Sequence, residues 1–350
     1  MQAERYGPGI RATSPVRAGR KDPSVGGSEA GDTIVRMAAP IRVGTCSWAD
    51  KSLVAHWYPR GVRSPEERLR YYAERFDTVE LDASYYRLPE EETVRKWVER
   101  TPPGFLFHVK AFAMMTRHPV RLEQLPPELR EEAKPDEKGR VERPSRDLRA
   151  EIFARFHAGL EPFRQAGKLG GILLQFPSYV VFKDASLDYL RWAREELRGD
   201  ALLVEFRHRS WLDDEHRAET LAFLEELGAS HVVVDAPKTE AKNLVPTVLG
   251  LTSPTLYVRF HGRNPGTWNK RGGSASERFD YLYDDGELRE WAQTMRELAG
   301  DAREAYAMFN NNGRTPGSAV RGEREWIAQA PVNALRFQEL LGEAAGGAAA

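Results

Sequence analysis

Eight charged or polar side chains sit at alternate positions in short apolar runs: Glu80 and Asp82 in TVELDASYY (78–86), His108 and Lys110 in FLFHVKAF (105–112), Glu205 and Arg207 in LLVEFRH (202–208), and Arg259 and His261 in TLYVRFHG (255–262). Residues two apart on a strand share a face, so each pair is delivered to one side. Gln175, Asp235 and Asn310 join that side by the same parity. A glutamate beside a lysine or histidine can move protons on a carbonyl or a sugar hydroxyl. Glu205 as base with Lys110 or His108 as acid is the preferred pair, and Glu80 and Asp235 are the further catalytic carboxylates. Arg207 and Arg259 suit a phosphate or carboxylate, which a guanidinium matches bidentately. Asp82, Tyr86, Gln175, His208, Trp211, His261, Asn310 and Asn311 complete the expected substrate-binding set. Glycosidase chemistry would instead require Glu80 and Glu205 to flank a scissile bond. The plainer alternative is that Glu205 with Arg207, or Asp235 with Arg259, are ion pairs completing a core. So many desolvated charges would cost stability without return, which favours a ligand site.

The same carboxylates and histidines are acceptable ligands for a divalent metal. The chain has no HExxH, no Cys/His cluster and no ligand spacing, so no residue is assigned to a metal and no cofactor is required. Cys46 reads as a small buried thiol, since no activating partner can be assigned to it.

Such side chains need a frame. With IRVGTCSW (41–48), GGILLQF (170–176), SHVVVDA (230–236) and EAYAMFNNN (304–312), the apolar runs number eight, spaced by segments long enough for helices. That alternation is the pattern of βα units. Eight units close into a single TIM-type (β/α)8 α/β barrel, whose chemistry lies at the carboxyl ends of the strands. Helical periodicity predicts helices over 65–76, 90–101, 152–167, 186–197, 219–228, 287–300 and 332–342, with Gly167, Gly228, Gly300 and Gly342 as C-terminal caps. The unit over 237–254, interrupted by Pro246 and Pro254, is expected to be irregular. Met114–Pro144 reads as a solvated surface loop, or else an excursion over the mouth. The loop at 263–276, basic and Gly-rich with Arg263, Trp268, Lys270 and Arg271, reads either as a lid over an anion or as an exposed loop.

Residues 1–38 carry few large apolar side chains and read as a disordered leader, followed by the barrel over 39–342 and a disordered tail over 343–350. Met37, just before the first strand, is an alternative start. The 51 basic and 52 acidic residues leave a formal charge of -1, so no net field draws the chain to nucleic acid or anionic lipid, although a local patch could still do so. No apolar stretch reaches the roughly 18–20 residues that cross a bilayer, and a membrane partner is not expected. A single cysteine suits the reducing cytoplasm.

GTCSW (44–48), HWYP (56–59), VELDASYYRLP (79–89), PPGFLFHVK (102–110), LLQFP (173–177), VEFRHRSW (204–211), VRFHGR (258–263) and FNNN (309–312) occur in this order. Together they resemble the domain of unknown function 72 (YecE-like) family, a family of TIM barrels. The resemblance implies the barrel and no particular reaction. The chain departs from the family pattern at Asp82, where an Asn is usual, and at Thr116-Arg117-His118, where Thr and His usually adjoin. The segment from Asn312 to Pro331 is also longer. The combined expectation is an enzyme acting by acid–base chemistry on a phosphate-bearing or other anionic small molecule. The alternatives are a metal-assisted phosphodiester hydrolase and a non-catalytic protein that binds nucleic acid.

Overall fold

The computed structural model describes residues 38–268, 278–320 and 324–347. Residues 1–37, 269–277, 321–323 and 348–350, with the expected leader and half of the expected lid loop, lie outside the described residues.

Each of the eight apolar runs forms a strand: β1 (Ile41–Thr45), β2 (Thr78–Leu81), β3 (Leu106–Lys110), β4 (Leu169–Gln175), β5 (Leu202–Glu205), β6 (Ala229–Asp235), β7 (Thr255–Phe260) and β8 (Glu304–Phe309). They pair in parallel in the order β1-β8-β7-β6-β5-β4-β3-β2. β2, β5 and β6 are buried along their whole length, as required of strands with a filled interior on one face and helices on the other. The chain is a nearly closed TIM-type barrel.

The closing seam lies between β1 and β2, where the described residues show no ladder pairing. Tyr72, fully buried on the helix Pro65–Ala73, bridges it. Its hydroxyl accepts the Thr45 backbone N–H at 2.8 Å and donates to the Thr78 carbonyl at 3.1 Å. Gly44 lets the strands come this close, since a Cβ there would sit 2.4 Å from the Thr78 carbonyl oxygen. Backbone cannot yield as a side-chain end can, so Gly44→Ala is expected to lower stability by about 1–3 kcal/mol, the usual cost of overpacking. Urea denaturation measures it, and an unchanged midpoint would contradict this account of the seam.

Local sequence explains several helix ends. Ser64 caps Pro65–Ala73 in a reciprocal capping box with Glu67, and Asp284 does the same with Glu287 for Asp285–Ala299. The helix expected over 152–167 is instead two, Arg146–Gly159 and Glu161–Gln165. Pro162 has no N–H to continue the ladder, and Ser145 starts the first helix early by accepting the Leu148 N–H. Gly167 and Gly228 take the expected left-handed cap conformation, with φ of 64° and 61°. Gly300 does not, and Gly342 lies inside the helix Gln329–Gly347. Residues 237–254 contain no regular helix, as Pro246 and Pro254 suggested.

The stretch Met114–Pro144 is not a solvated loop. It contains a two-stranded antiparallel ladder, Val120–Arg121 with Arg140–Val141, and it buries Met114, Met115, Val120, Leu125, Leu129 and Val141 in the main core. The apolar positions are too irregularly spaced to show periodicity, which is why the sequence alone read as loop. The longer segment after Asn312 forms a second ladder, Arg314–Pro316 with Trp326–Ala328. Among the described residues no helix is long and apolar enough to cross a membrane.

Candidate functional site

The inward residues form three steps from the middle of the barrel to its carboxyl-terminal mouth. The lowest holds His108, whose Nδ1 lies 3.2 Å from Thr78 Oγ1 and whose ring meets the edges of Tyr257 and Tyr306. Gly170 makes room for this imidazole, since a Cβ there would lie 2.5 Å from His108 Nε2. Burial drops the His108 pKa to about 3, so the ring is neutral at physiological pH and enclosed.

The middle step is an ionic core with no solvent access. Arg259 is gripped by two carboxylates, donating from Nη1 to Glu205 Oε2 and from Nη2 to Glu80 Oε1 at 2.5 Å. The Tyr257 hydroxyl donates to the other Glu80 oxygen at 3.1 Å, and Cys46 Sγ lies 3.6 Å from Arg259 Nη2. The two carboxyls differ in proton affinity. Burial raises that of Glu80 against the opposing pull of Arg259, and the negative charges of Asp82 and Glu205 add to the rise. Burial pushes Glu205 up as well, but Arg207, Arg259 and His261 overcome it and hold the carboxyl well below the usual range.

The upper step opens to solvent. Glu205 Oε1 pairs with Arg207 Nε, accepts from Gln175 Nε2 at 2.9 Å and lies 3.2 Å from His261 Nε2. His261 is held neutral by burial and by Arg207, with a pKa of about 3, and its Nδ1 is 2.8 Å from Asn310 Nδ2. The Arg207 guanidinium lies over the Trp268 ring, 5.5 Å from its centroid. Lys110 pairs with Asp82 at 3.3 Å and stands 4.6 Å above the Tyr85 ring. The carboxylate introduced where the resemblance led one to expect an amide is thus the partner of Lys110.

The structure therefore joins Glu80, Glu205, Arg259, Arg207, His261, Gln175 and Asn310 in one network, with Lys110 and Asp82 beside it. It separates the others. Asp235 pairs with Arg263, not with Arg259, through both oxygens at 2.9–3.0 Å, and accepts from Tyr283 at 2.6 Å. Asn311 ties the mouth to the last helix through Asn333 at 2.8 Å. Trp211 is a core ring, stacked on Phe206 and bonded to the Val180 carbonyl, and His208 caps the turn at Arg209–Trp211. Tyr86 is 61% exposed at the rim, edge-on to Tyr85. Arg259 is too enclosed by carboxylates to hold a ligand anion.

His118 is a site residue that the sequence reading did not select. Its ring meets Tyr85, its Nδ1 lies 2.9 Å from Thr116 Oγ1, and burial with Lys110 and Arg207 lowers its pKa to about 4. The signals in the sequence were its place shortly after β3 and its membership of Thr116-Arg117-His118, where the family pattern has Thr and His adjoining. Among the described residues no three His, Cys, Asp or Glu side chains are grouped to hold a metal ion.

The family model described as "Protein of unknown function DUF72" matches residues 42–349. The chain belongs to the DUF72 family. The DUF72 match takes in the whole barrel sheet except Ile41, the first residue of β1, and every residue of the network above. The UPF0759 protein YunF of Bacillus subtilis (strain 168) is 33% identical over 276 residues, covering 78% of this chain and 89% of the relative. The UPF0759 protein YecE of Escherichia coli (strain K12) is 27% identical over 246 residues, covering 66% and 77%. A DUF72 family protein of Thermotoga maritima, solved by crystallography, superposes with a TM-score of 0.65 at 31% identity, covering 86% of this chain and 99% of that one.

Proposed function

We propose that the barrel mouth is an active site for acid–base chemistry on a small phosphate-bearing or other anionic molecule in the cytoplasm. The carrying observation is a pair of carboxyls on one guanidinium with proton affinities driven apart, the arrangement by which sites separate acid from base roles. The roles differ from those expected of the sequence. Glu205, held ionised between two arginines, is a poor base and serves as the anchor that aims Arg207 and Gln175. Arg207 and Lys110, each partly exposed at the mouth, hold the anion. Glu80 is the carboxyl whose proton affinity burial raises, and Lys110 supplies the second transfer. His108, neutral and enclosed, supports the floor.

A screen of phosphorylated small molecules for turnover tests this reading. Glu80→Gln is expected to cut kcat by about 10²–10⁴, and Arg207→Ala to raise KM. Unchanged kinetics in both variants would remove the proposal. A second reading, binding of nucleic acid, draws support from Tyr86 and Tyr179, about 60% exposed and both near Tyr85, which offer rings for base stacking. Tight binding to single strands that weakens steeply with salt would favour it.

A further inference from the structure

A second concavity opens on the same face of the barrel, where β8 and β1 end. Asn312–Arg314 on one side and residues of the helix Lys51–His56 on the other wall a cleft of about 270 Å³. Asn312, only 8% exposed, lines it. Its Nδ2 donates to Asn310 Oδ1 at 3.3 Å, while its Oδ1 is buried without a hydrogen-bond partner among the described residues. Ser52 Oγ, in the same wall, is buried and without one as well. An orphaned buried polar atom costs about 1–3 kcal/mol, and native proteins seldom keep one unless something else completes it.

Two cations and one carboxylate share the rest of the wall with His56 and Gly313. Lys51 and Arg314 are exposed at the rim, and Arg314 is fixed by the Trp326 ring 4.5 Å beneath it. The lining carboxylate, Asp280, already accepts from Gln329 Nε2 at 2.8 Å. Gly313 completes the wall, and a Cβ there would lie 2.6 Å from Asp280 Oδ1. A continuous polar chain leads from this cleft into the barrel: Asn312 to Asn310, Asn310 to His261 at 2.8 Å, His261 to Glu205 at 3.2 Å.

The geometry points to a subsite for a phosphate ester of a polyol, with the phosphate between Lys51 and Arg314 and hydroxyls bonded to Asn312 Oδ1 and Ser52 Oγ. This rests on the reading that the mouth acts on an anionic small molecule, and it assigns the cleft to that molecule's non-reacting end. Binding there fixes the molecule's reacting end at the mouth, so that the grip on a remote group orients the centre of reaction.

Calorimetric titration of the full chain with inorganic phosphate and with glycerol phosphate tests the assignment. The Lys51→Ala/Arg314→Ala double variant, changed only at exposed positions, is expected to bind glycerol phosphate at least about tenfold more weakly than the wild type. Asn312→Ala is expected to bring glycerol phosphate down to the affinity of inorganic phosphate. Wild-type binding in the double variant, or no binding by the wild type, overturns the subsite. Arg207→Ala separates the two readings. Loss of binding there but not in the double variant sinks the cleft and leaves the mouth standing, whereas the reverse pattern supports the cleft, moves the phosphate from Arg207 to it and leaves the acid–base reading of the mouth to the turnover of Glu80→Gln.

Discussion

An Arg259→Met variant unfolds at a much lower urea concentration than the wild type at neutral pH, with stability reduced by about 3–5 kcal/mol. Methionine fills a similar length of space, so the loss is electrostatic. Arg259 is 1% exposed and its two carboxylate partners are completely covered, so removing the guanidinium strands Glu80 and Glu205 in a medium that cannot solvate them. Arg207 still neutralises one, and Tyr257 still donates to the other, which keeps the expected loss in this range. Part of it returns in acid, where the stranded carboxyls take up protons. A wild-type midpoint at neutral pH would mean that the ionic core contributes nothing to the fold.

The second large effect is one of pH. Stability lost in Glu205→Gln is greatest near neutrality and shrinks as the pH falls below about 4.5, the ordinary glutamate value. Burial alone would lift the Glu205 pKa, but Arg207, Arg259 and His261 overcome it, so the folded-state pKa lies below the unfolded one. A group depressed in this way contributes stability above its unfolded pKa and loses it as the pH falls through its folded pKa. Glutamine does not titrate, so the two stability curves converge in acid. Glu80 has the opposite sign. Its folded pKa is raised, chiefly by burial, so keeping it ionised costs stability as the pH rises from 4.5 through the folded value. Glu80→Gln removes that cost and flattens the wild-type fall on this side. Denaturation at a series of pH values from about 3 to 8 reads both slopes, and parallel curves for the three proteins would contradict the assigned shifts.

The barrel was legible because its strands obey a period of two against an apolar outer face, and parity placed Glu80, Glu205, Arg259 and His261 on the inner side. Pairing was not legible, because parity fixes a face and not a neighbour. Asp235 and Arg259 both belong to strands at the centre of the sheet, yet Asp235 sits at the end of β6 beside Phe260, where Arg263 from the following loop reaches it. Nor did the sequence distinguish Glu205 as anchor from Glu205 as base, since that depends on the two guanidiniums that converge on it in space. Trp211 read as a substrate-binding residue because it follows a strand closely, but the turn at Arg209–Trp211 folds it back into the core. His118 belongs to a segment whose apolar residues follow no period, and nothing local advertised its approach to Lys110.

The single hydroxyl of Tyr72 has a consequence for how the molecule breathes. A sheet stitched along seven of its edges and clasped at the eighth, among the described residues, by the buried Tyr72 hydroxyl and the more exposed Arg42–Asp77 pair at 3.2 Å has a preferred place to part. Cys46, the residue after β1, lies at that edge with its thiol sealed and burial keeping it protonated. Its rate of alkylation in the native protein is therefore a clock for the clasp. Tyr72→Phe, which leaves the ring and removes the stitch, should make that clock run faster without changing the chemistry of the thiol itself.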